Sequence, residues 1–119
     1  MPKTVLVVED DDILRDLLVE ALSLIDVIAV ECSSADDALQ LLRAEDSFAL
    51  VITDVCMPGS MDGLGLAQSI WARKPDLPVI LSSGNRVSSI DRLPENASFL
   101  RKPWTLDELL HAVGRFLDS

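Results

Sequence analysis

Acidic, hydroxyl and ammonium side chains follow short apolar runs at four places in the chain. Glu9 and Asp10 come directly after VLVV, and Asp54 follows VIT. A later run, VILS, leads to Ser83, and FLR leads to Lys102. An aspartate carboxylate can attack phosphorus to form an aspartyl phosphate, and grouped carboxylates repel one another unless a cation lies between them. Together these residues would combine a nucleophile, a cation site, an ammonium group and a hydroxyl donor.

The spacing of apolar residues predicts strands and helices that alternate along the chain. The predicted strands are Thr4–Val8, Val27–Val30, Phe48–Ile52, Pro78–Leu81 and Ala97–Leu100. The apolar positions at helical spacing are Leu14, Leu17, Leu18, Ala21, Leu22 and Ile25, then Ala35, Ala38, Leu39 and Leu42, then Leu64, Ala67, Ile70 and Trp71, and finally the expected buried face Leu106, Leu109, Leu110, Val113, Phe116 and Leu117. The polar stretch Asn85–Asn96 leaves room for at most a short helix.

Short connections and nearly continuous apolar strands predict a parallel sheet that is covered on both faces. Right-handed crossovers then favour an α/β, flavodoxin-like doubly wound fold with five strands in the order 2-1-3-4-5. Ligands of such folds bind beyond the carboxyl ends of the strands, where all four polar places would meet. No cluster of His and Cys offers a zinc site, and carboxylate oxygens suit Mg²⁺ or Mn²⁺.

The composition limits the remaining classes of function. With 119 residues, the chain is expected to form one domain over 1–119. A formal charge of -10 argues against direct nucleic-acid binding. No apolar stretch has the length of a membrane span or a signal peptide, so we expect a cytoplasmic protein without membrane insertion. Cys32 and Cys56 are predicted to be unpaired thiols.

Four segments, VLVVEDD, VITDVCMP, PVILSSG and FLRKPW, resemble in sequence and order the signature segments of response-regulator receiver domains. The resemblance covers the whole chain. It implies a phosphorylation-activated switch in a two-component or phosphorelay system, which takes its phosphoryl group from a histidine kinase or a histidine phosphotransfer protein. The output would be contact with a further, unidentified protein. Apart from its own phosphorylation and dephosphorylation, such a domain is not expected to be an enzyme.

The resemblance also implies roles for the acidic residues and their neighbours. Asp54 matches the phosphoacceptor and is also among the implied metal ligands. Asp10 matches a direct metal ligand, Glu9 an acid that acts through water, and Cys56 the position whose main-chain carbonyl completes the metal shell. The side chains of Cys56 and Asn85 border the path of attacking water and would tune the lifetime of the phosphoryl group.

Further matches concern the coupling of the site to the surface. Ser83 matches the hydroxyl residue that moves onto a phosphoryl oxygen, and Lys102 matches the lysine that pairs with the phosphoryl group. Phe99 occupies the aromatic switch position, where the family more often has Tyr. The Lys102–Pro103 peptide bond resembles a cis bond of the family. Other polar residues are expected to have structural or surface roles: Asp11, Asp62, Ser82 and His111.

Two departures and several alternatives accompany this interpretation. The loop 58–63 is one residue longer than the usual one, and the stretch between Ser83 and Phe99 is shorter. A small phosphatase with an aspartyl nucleophile would need a second acid two residues after Asp54, where Cys56 stands. A degenerate receiver would lack the acceptor, an acid or the lysine. The simplest expectation is a stand-alone receiver, and the alternative is a fragment of a hybrid histidine kinase or of a longer regulator.

Overall fold

The computed structural model describes residues 2–55, 61–84 and 94–117, and within these ranges it contains five strands and four helices. The elements are β1 (Lys3–Val8), α1 (Asp12–Leu22), β2 (Val27–Cys32), α2 (Ala35–Ala44), β3 (Phe48–Asp54), α3 (Gly63–Arg73), β4 (Val79–Ser83), β5 (Ala97–Arg101) and α4 (Leu106–Leu117). The predicted strands are confirmed, and their ends differ by up to two residues. β4 begins after Pro78, whose ring has no N–H for the ladder, and it continues to Ser83.

The strands form one sheet in the order β2-β1-β3-β4-β5, and every neighbouring pair is parallel. This confirms the predicted doubly wound topology. In the register of the sheet, Asp54 lies opposite Ser82, and Ser83 lies opposite Arg101. Because all strands run in one direction, their carboxyl ends and the residues that follow them share one edge of the sheet.

Apolar side chains fill both sides of the sheet, which explains why the strands alternate so little in polarity. On one side, α2 and α3 pack against a cluster that includes Leu6, Val51 and Leu81. On the other side, α1 and α4 pack against a cluster that includes Val7 and Ile52. We call these the α2/α3 face and the α1/α4 face.

Helix ends follow the capping rules, because side-chain oxygens satisfy main-chain N–H groups that lack a helical partner. Asp11 caps α1, Ser34 caps α2 and Asp62 caps α3. Thr105 and Glu108 form the reciprocal capping box expected before α4. Asp11 thus has the structural role expected of it.

Two expectations about apolar residues are wrong. Ile25 lies beyond the end of α1, which stops at Leu22. Leu106, assigned to the buried face of the last helix, is 45% exposed. Leu17 lies in α1 as its spacing predicts, and it is 47% exposed. Helical spacing predicts which apolar residues share a face but not whether a neighbouring element covers them.

Cys32 is a free, buried thiol. In the part of the chain that the structure describes, no helix is long and apolar enough to cross a membrane.

Candidate functional site

Three carboxylates meet at the carboxyl edge of the sheet. Glu9 and Asp10 follow β1, and Asp54 is the last residue of the adjacent β3. One oxygen from each lies within 4.8 Å of the others. Glu9 is 2% exposed, and the side chain of Asp54 is 11% exposed, whereas Asp10 is exposed to solvent. The neighbouring positions of β1 and β3 therefore bring together acids that are 45 positions apart in sequence.

Lys102 brings an ammonium group to the same point from β5. Its main-chain N–H donates to the carbonyl of Ser83 at 3.0 Å, which ties the residue to the end of β4. Its Nζ donates to Oε1 of Glu9 at 3.0 Å and lies 3.3 Å from Oδ1 of Asp54. The lysine thus bridges the acid after β1 and the acid at the end of β3.

One ammonium group does not compensate for several carboxylates in a partly buried site. Burial raises the pKa of Glu9, and the charge of Asp54 adds to this, while the hydrogen bonds from Lys102 and from the amide of Asp11 only partly oppose it. Burial alone would lower the pKa of Lys102, but its hydrogen bond to Glu9 and the charge of Asp54 raise it overall. The site therefore carries excess negative charge, which a divalent cation would offset.

Ser83 and Phe99 lie on the same face of the sheet. Ser83 ends β4 and is 2% exposed. Since alternate residues of a strand point to the same face, its side chain lies on the α2/α3 face with Leu81. Phe99 is opposite Leu81 in β5, and its half-buried ring packs against the α2/α3 cluster. The Lys102–Pro103 peptide bond is cis.

The remaining residues of the sequence interpretation either are outside the described residues or were given structural or surface roles. Cys56 and Asn85, assigned to the metal shell and to the lifetime of the phosphoryl group, are outside the described residues. His111 is exposed on α4, as expected of a surface residue. Ser82 is buried, and its Oγ has no hydrogen-bond partner among the described residues.

Two supporting residues were missed by the interpretation of the sequence. Arg15 donates from Nη1 to the main-chain oxygen of Glu9 at 2.8 Å. The only sequence signal is its spacing from Asp12, three residues earlier, which is typical of a helical ion pair. Gly63, which the sequence interpretation placed in the loop 58–63, begins α3, where a Cβ would lie 1.7 Å from the carbonyl oxygen of Asp54. Only glycine allows α3 to approach the main chain of Asp54 this closely.

The doubly wound α/β sheet thus gathers acids, a lysine and a serine at its carboxyl edge. The family model of the response regulator receiver domain matches residues 5–114. The chain belongs to this family of two-component signal transduction domains.

Comparisons with individual proteins agree with this assignment. The chain is 42% identical over 120 residues to the response regulator protein FleR of Pseudomonas aeruginosa, covering 97% of this chain and 24% of FleR. It is 30% identical to the response regulator receiver protein CpdR of Brucella abortus, covering 97% of both chains. The crystal structure of a response regulator receiver protein from Sinorhizobium medicae superposes with a TM-score of 0.90 at 24% identity, over 99% of this chain and 96% of the other, and shows the shared fold. The chain thus spans about a quarter of FleR but nearly all of CpdR.

Proposed function

We propose that this chain is a switch of a two-component or phosphorelay system that accepts a phosphoryl group from phosphohistidine onto Asp54. The observation that carries the proposal is the position of Lys102, whose ammonium lies 3.3 Å from Asp54 and 3.0 Å from Glu9. The same charge that bridges two carboxylates can pair with a phosphoryl group on one of them. The donor would be a histidine kinase or a histidine phosphotransfer protein, and the signal would pass on by contact with an output protein.

The donor atoms at the edge of the sheet fit Mg²⁺ or Mn²⁺. Glu9, Asp10 and Asp54 offer hard carboxylate oxygens, and Mg²⁺ is commonly held by one or two carboxylates with several waters. Glu9 already accepts hydrogen bonds on both oxygens, from Lys102 and from the amide of Asp11. Asp10 is exposed and is the better candidate for direct contact. A bound divalent cation would supply positive charge to offset the phosphoryl oxygens during transfer.

The side chains of the chain itself account for the steps of the transfer. A carboxylate oxygen of Asp54 forms a bond to phosphorus while the bond from phosphorus to the imidazole nitrogen breaks and leaves its electron pair on that nitrogen. When its other ring nitrogen carries a proton, the imidazole leaves neutral. Lys102 then pairs with the phosphoryl group, and the hydroxyl of Ser83 donates to one of its oxygens.

An apolar hollow beside the site fits the approach of a protein donor. It has a volume of about 520 Å³ and is lined by Leu14, Leu17, Gly84, Lys102, Pro103 and Trp104. On α1, the exposed side chains of Ile13 and Leu17 continue the apolar surface. Because Lys102 lines the hollow and also contacts Asp54, a protein seated there would hold its phosphohistidine next to the acceptor. We assign this surface to the phosphohistidine-bearing protein.

The route from the site to the output would begin at Ser83. Movement of its hydroxyl towards the phosphoryl group would open space on the α2/α3 face, where the half-buried ring of Phe99 already packs. The charge added at Asp54 would thus favour a more buried position of Phe99. Binding of the phosphoryl mimic beryllofluoride should shift the NMR signals of Phe99 and α4. Shifts confined to the metal site would refute this route.

The acceptor is tested by labelling with a small phosphodonor such as acetyl phosphate in the presence of Mg²⁺. The wild type should gain one acid-labile phosphoryl group and Asp54→Asn none. Asp46→Asn is the matched control, because Asp46 is an exposed aspartate that pairs with a lysine at the opposite edge of the sheet. Persistent labelling of Asp54→Asn would refute the proposed acceptor.

The donor surface needs a separate test. Leu17→Ala should slow transfer from a phosphohistidine protein and leave labelling by acetyl phosphate unchanged, because the small donor does not need the hollow. Leu24→Ala, which removes another exposed leucine of the same chain, serves as the control. Equal rates of transfer to all three proteins would show that the donor docks elsewhere.

A further inference from the structure

The guanidinium of Arg15 joins the start of α1 to the ends of two strands. Nη1 donates to the main-chain oxygen of Glu9 at 2.8 Å, and Nη2 donates to Oδ1 of Asp12 at 2.6 Å. Nε lies 3.5 Å from Oε1 of Glu31 in β2. The Arg15 side chain is only 17% exposed, and hydrogen bonds from a charged donor are stronger than neutral ones. The hydrogen bond to the carbonyl of Glu9 therefore holds the main chain at this position.

The segment Glu9–Asp11 is consequently held on both sides of Asp10. Behind it, Arg15 fixes the carbonyl of Glu9. Ahead of it, the amide of Asp11 donates to Oε2 of Glu9 at 3.2 Å, and the carboxylate of Asp11 accepts from the amide of Ile13 at 2.9 Å. Asp10 itself is exposed, so its direction depends on these neighbours.

We propose that Arg15 is a positioning residue for the metal site. By holding the peptide between Glu9 and Asp10, it keeps both carboxylates turned towards Asp54. This inference rests on the proposed function, in which those carboxylates face Mg²⁺ or Mn²⁺. Arg15 touches no reacting group and acts only through the main chain of Glu9.

Charge and geometry make opposite contributions here, which makes the proposal testable. A positive guanidinium near a cation site weakens metal binding by repulsion, so its removal would tighten binding if charge alone mattered. If Arg15 positions the loop, its removal weakens binding. Mg²⁺ demands near-octahedral geometry at about 2.0–2.1 Å, whereas Ca²⁺ accepts variable geometry at longer distances. A loosened loop should therefore cost Mg²⁺ more affinity than Ca²⁺.

The experiment titrates the full chain, without phosphodonor, with Mg²⁺ alone and with Ca²⁺ alone, using calorimetry or NMR. Arg15→Met should weaken Mg²⁺ binding roughly tenfold, the lower end of the range for residues that orient metal ligands, and Ca²⁺ binding clearly less. The control is Arg43→Met, which removes the same charge from an exposed position on α2; it should not weaken binding of either ion. Arg15→Lys keeps the charge but loses the fork of donors, so its affinity for Mg²⁺ should fall between those of wild type and Arg15→Met.

Each outcome decides the proposal. Unchanged or tighter Mg²⁺ binding by Arg15→Met, or an equal loss for both ions, overturns it. If Arg15→Met does not fold, Arg15→Lys carries the test, since any loss of Mg²⁺ affinity at constant charge is geometric and wild-type affinity refutes the inference. A wild type that binds no Mg²⁺, or an Asp10→Asn variant with full affinity, refutes the metal site and the inference together.

Discussion

Two lysines at opposite edges of the sheet have similar exposure but very different partners. Lys74 directly follows α3 as its C-cap, and its Nζ donates to the main-chain oxygens of Leu42 and Glu45 at 3.2 and 3.3 Å. It also pairs with Asp46 at 2.5 Å. The Lys74 side chain is 28% exposed and that of Asp46 is 90% exposed. Lys102, with 21% of its side chain exposed, bridges carboxylates of which 3% and 11% are exposed.

The two environments show where the molecule tolerates unfavourable electrostatic interactions. Lys74 satisfies carbonyls at the end of α2 that lack helical partners, and its acid is solvated, so nothing costly is buried. Lys102 lies between carboxylates that burial and mutual repulsion destabilise, as the raised pKa of Glu9 indicates. Groups that cost stability persist where a reaction uses them. This supports a structural role for the edge with Lys74 and a chemical role for the edge with Lys102.

The largest expected effect distinguishes the two lysines directly. Lys102→Met should lower the rate of labelling by acetyl phosphate about 100-fold, the order expected when one donor to a developing charge is lost. Lys74→Met should leave that rate unchanged. It should instead lower the free energy of unfolding by about 1 kcal/mol, because carbonyls at the end of α2 lose a charged donor. Labelling kinetics and urea unfolding of both variants provide the measurements.

A slow Lys74→Met variant would contradict this contrast, since it would connect the edge with Lys74 to the chemistry. An active Lys102→Met variant would remove Lys102 from the mechanism. Lys102→Arg serves as the control for charge, because it keeps a cation but changes its shape.

The fold was predictable because strands of a sheet that is buried on both faces are almost wholly apolar, and such runs are easily recognised in the sequence. The run Thr4–Val8 has the length of a strand and is almost wholly apolar, and acids follow it at once. The rule that strand ends share an edge then brings Glu9, Asp54 and Lys102 together without any knowledge of side-chain contacts. Their juxtaposition therefore follows from topology alone.

Details that depend on how one element docks on another could not be predicted. The hydrogen bond from Arg15 to the carbonyl of Glu9 depends on the path of the main chain before α1. The residue types in this segment do not predict that path. The approach of Gly63 to Asp54 depends on how closely α3 docks on β3. Leu17 and Leu106 have helical spacing like that of buried residues, but no described element covers them fully.

The second prediction tests the cost assigned to Glu9. Its pKa is raised above the ordinary value of 4.5 in the folded protein, so the folded state keeps a proton that the unfolded chain releases. Stability therefore falls as pH rises from 4.5 through the raised pKa, and the cost is fully present above it. Without metal, the free energy of unfolding of Glu9→Gln, taken relative to that of wild type, should increase as the pH is raised from 4 to 7. Urea unfolding with a chelator at both values measures the difference.

Lys102 stays charged over this range because its pKa is raised, so a change with pH in the difference between Glu9→Gln and wild type reports the titration of Glu9. A difference between Glu9→Gln and wild type that is independent of pH would show that burial of Glu9 carries no electrostatic cost. In that case the contrast between the two edges would lose its basis.

The third prediction concerns Ser82 at the carboxyl edge. Its buried hydroxyl costs stability, and it has no role in the proposed chemistry. Its Oγ is buried, and no described residue forms a hydrogen bond with it. Removing an unsatisfied hydroxyl relieves its desolvation cost, so Ser82→Ala should raise the free energy of unfolding by about 1 kcal/mol and leave labelling intact. Ser83→Ala, at the adjacent position, should instead weaken the coupling between phosphorylation of Asp54 and the position of Phe99. Loss of labelling in Ser82→Ala would instead give Ser82 a functional role.

The smallest effect is expected at the edge with Lys74. There the dependence of stability on pH is opposite to that at Glu9. The hydrogen bond from Lys74 lowers the pKa of Asp46 below its ordinary value of 3.8, so its contribution to stability is present above 3.8 and is lost as pH falls through the lowered pKa. Asp46→Asn should therefore be slightly less stable than wild type at pH 7 and should approach it in acid. Because Asp46 is exposed, salt should screen most of this difference. Thermal unfolding at low and high salt measures it. A loss at Asp46 that resists salt, or exceeds the change caused by Glu9→Gln, would show that the solvated edge carries more electrostatic energy than the buried one.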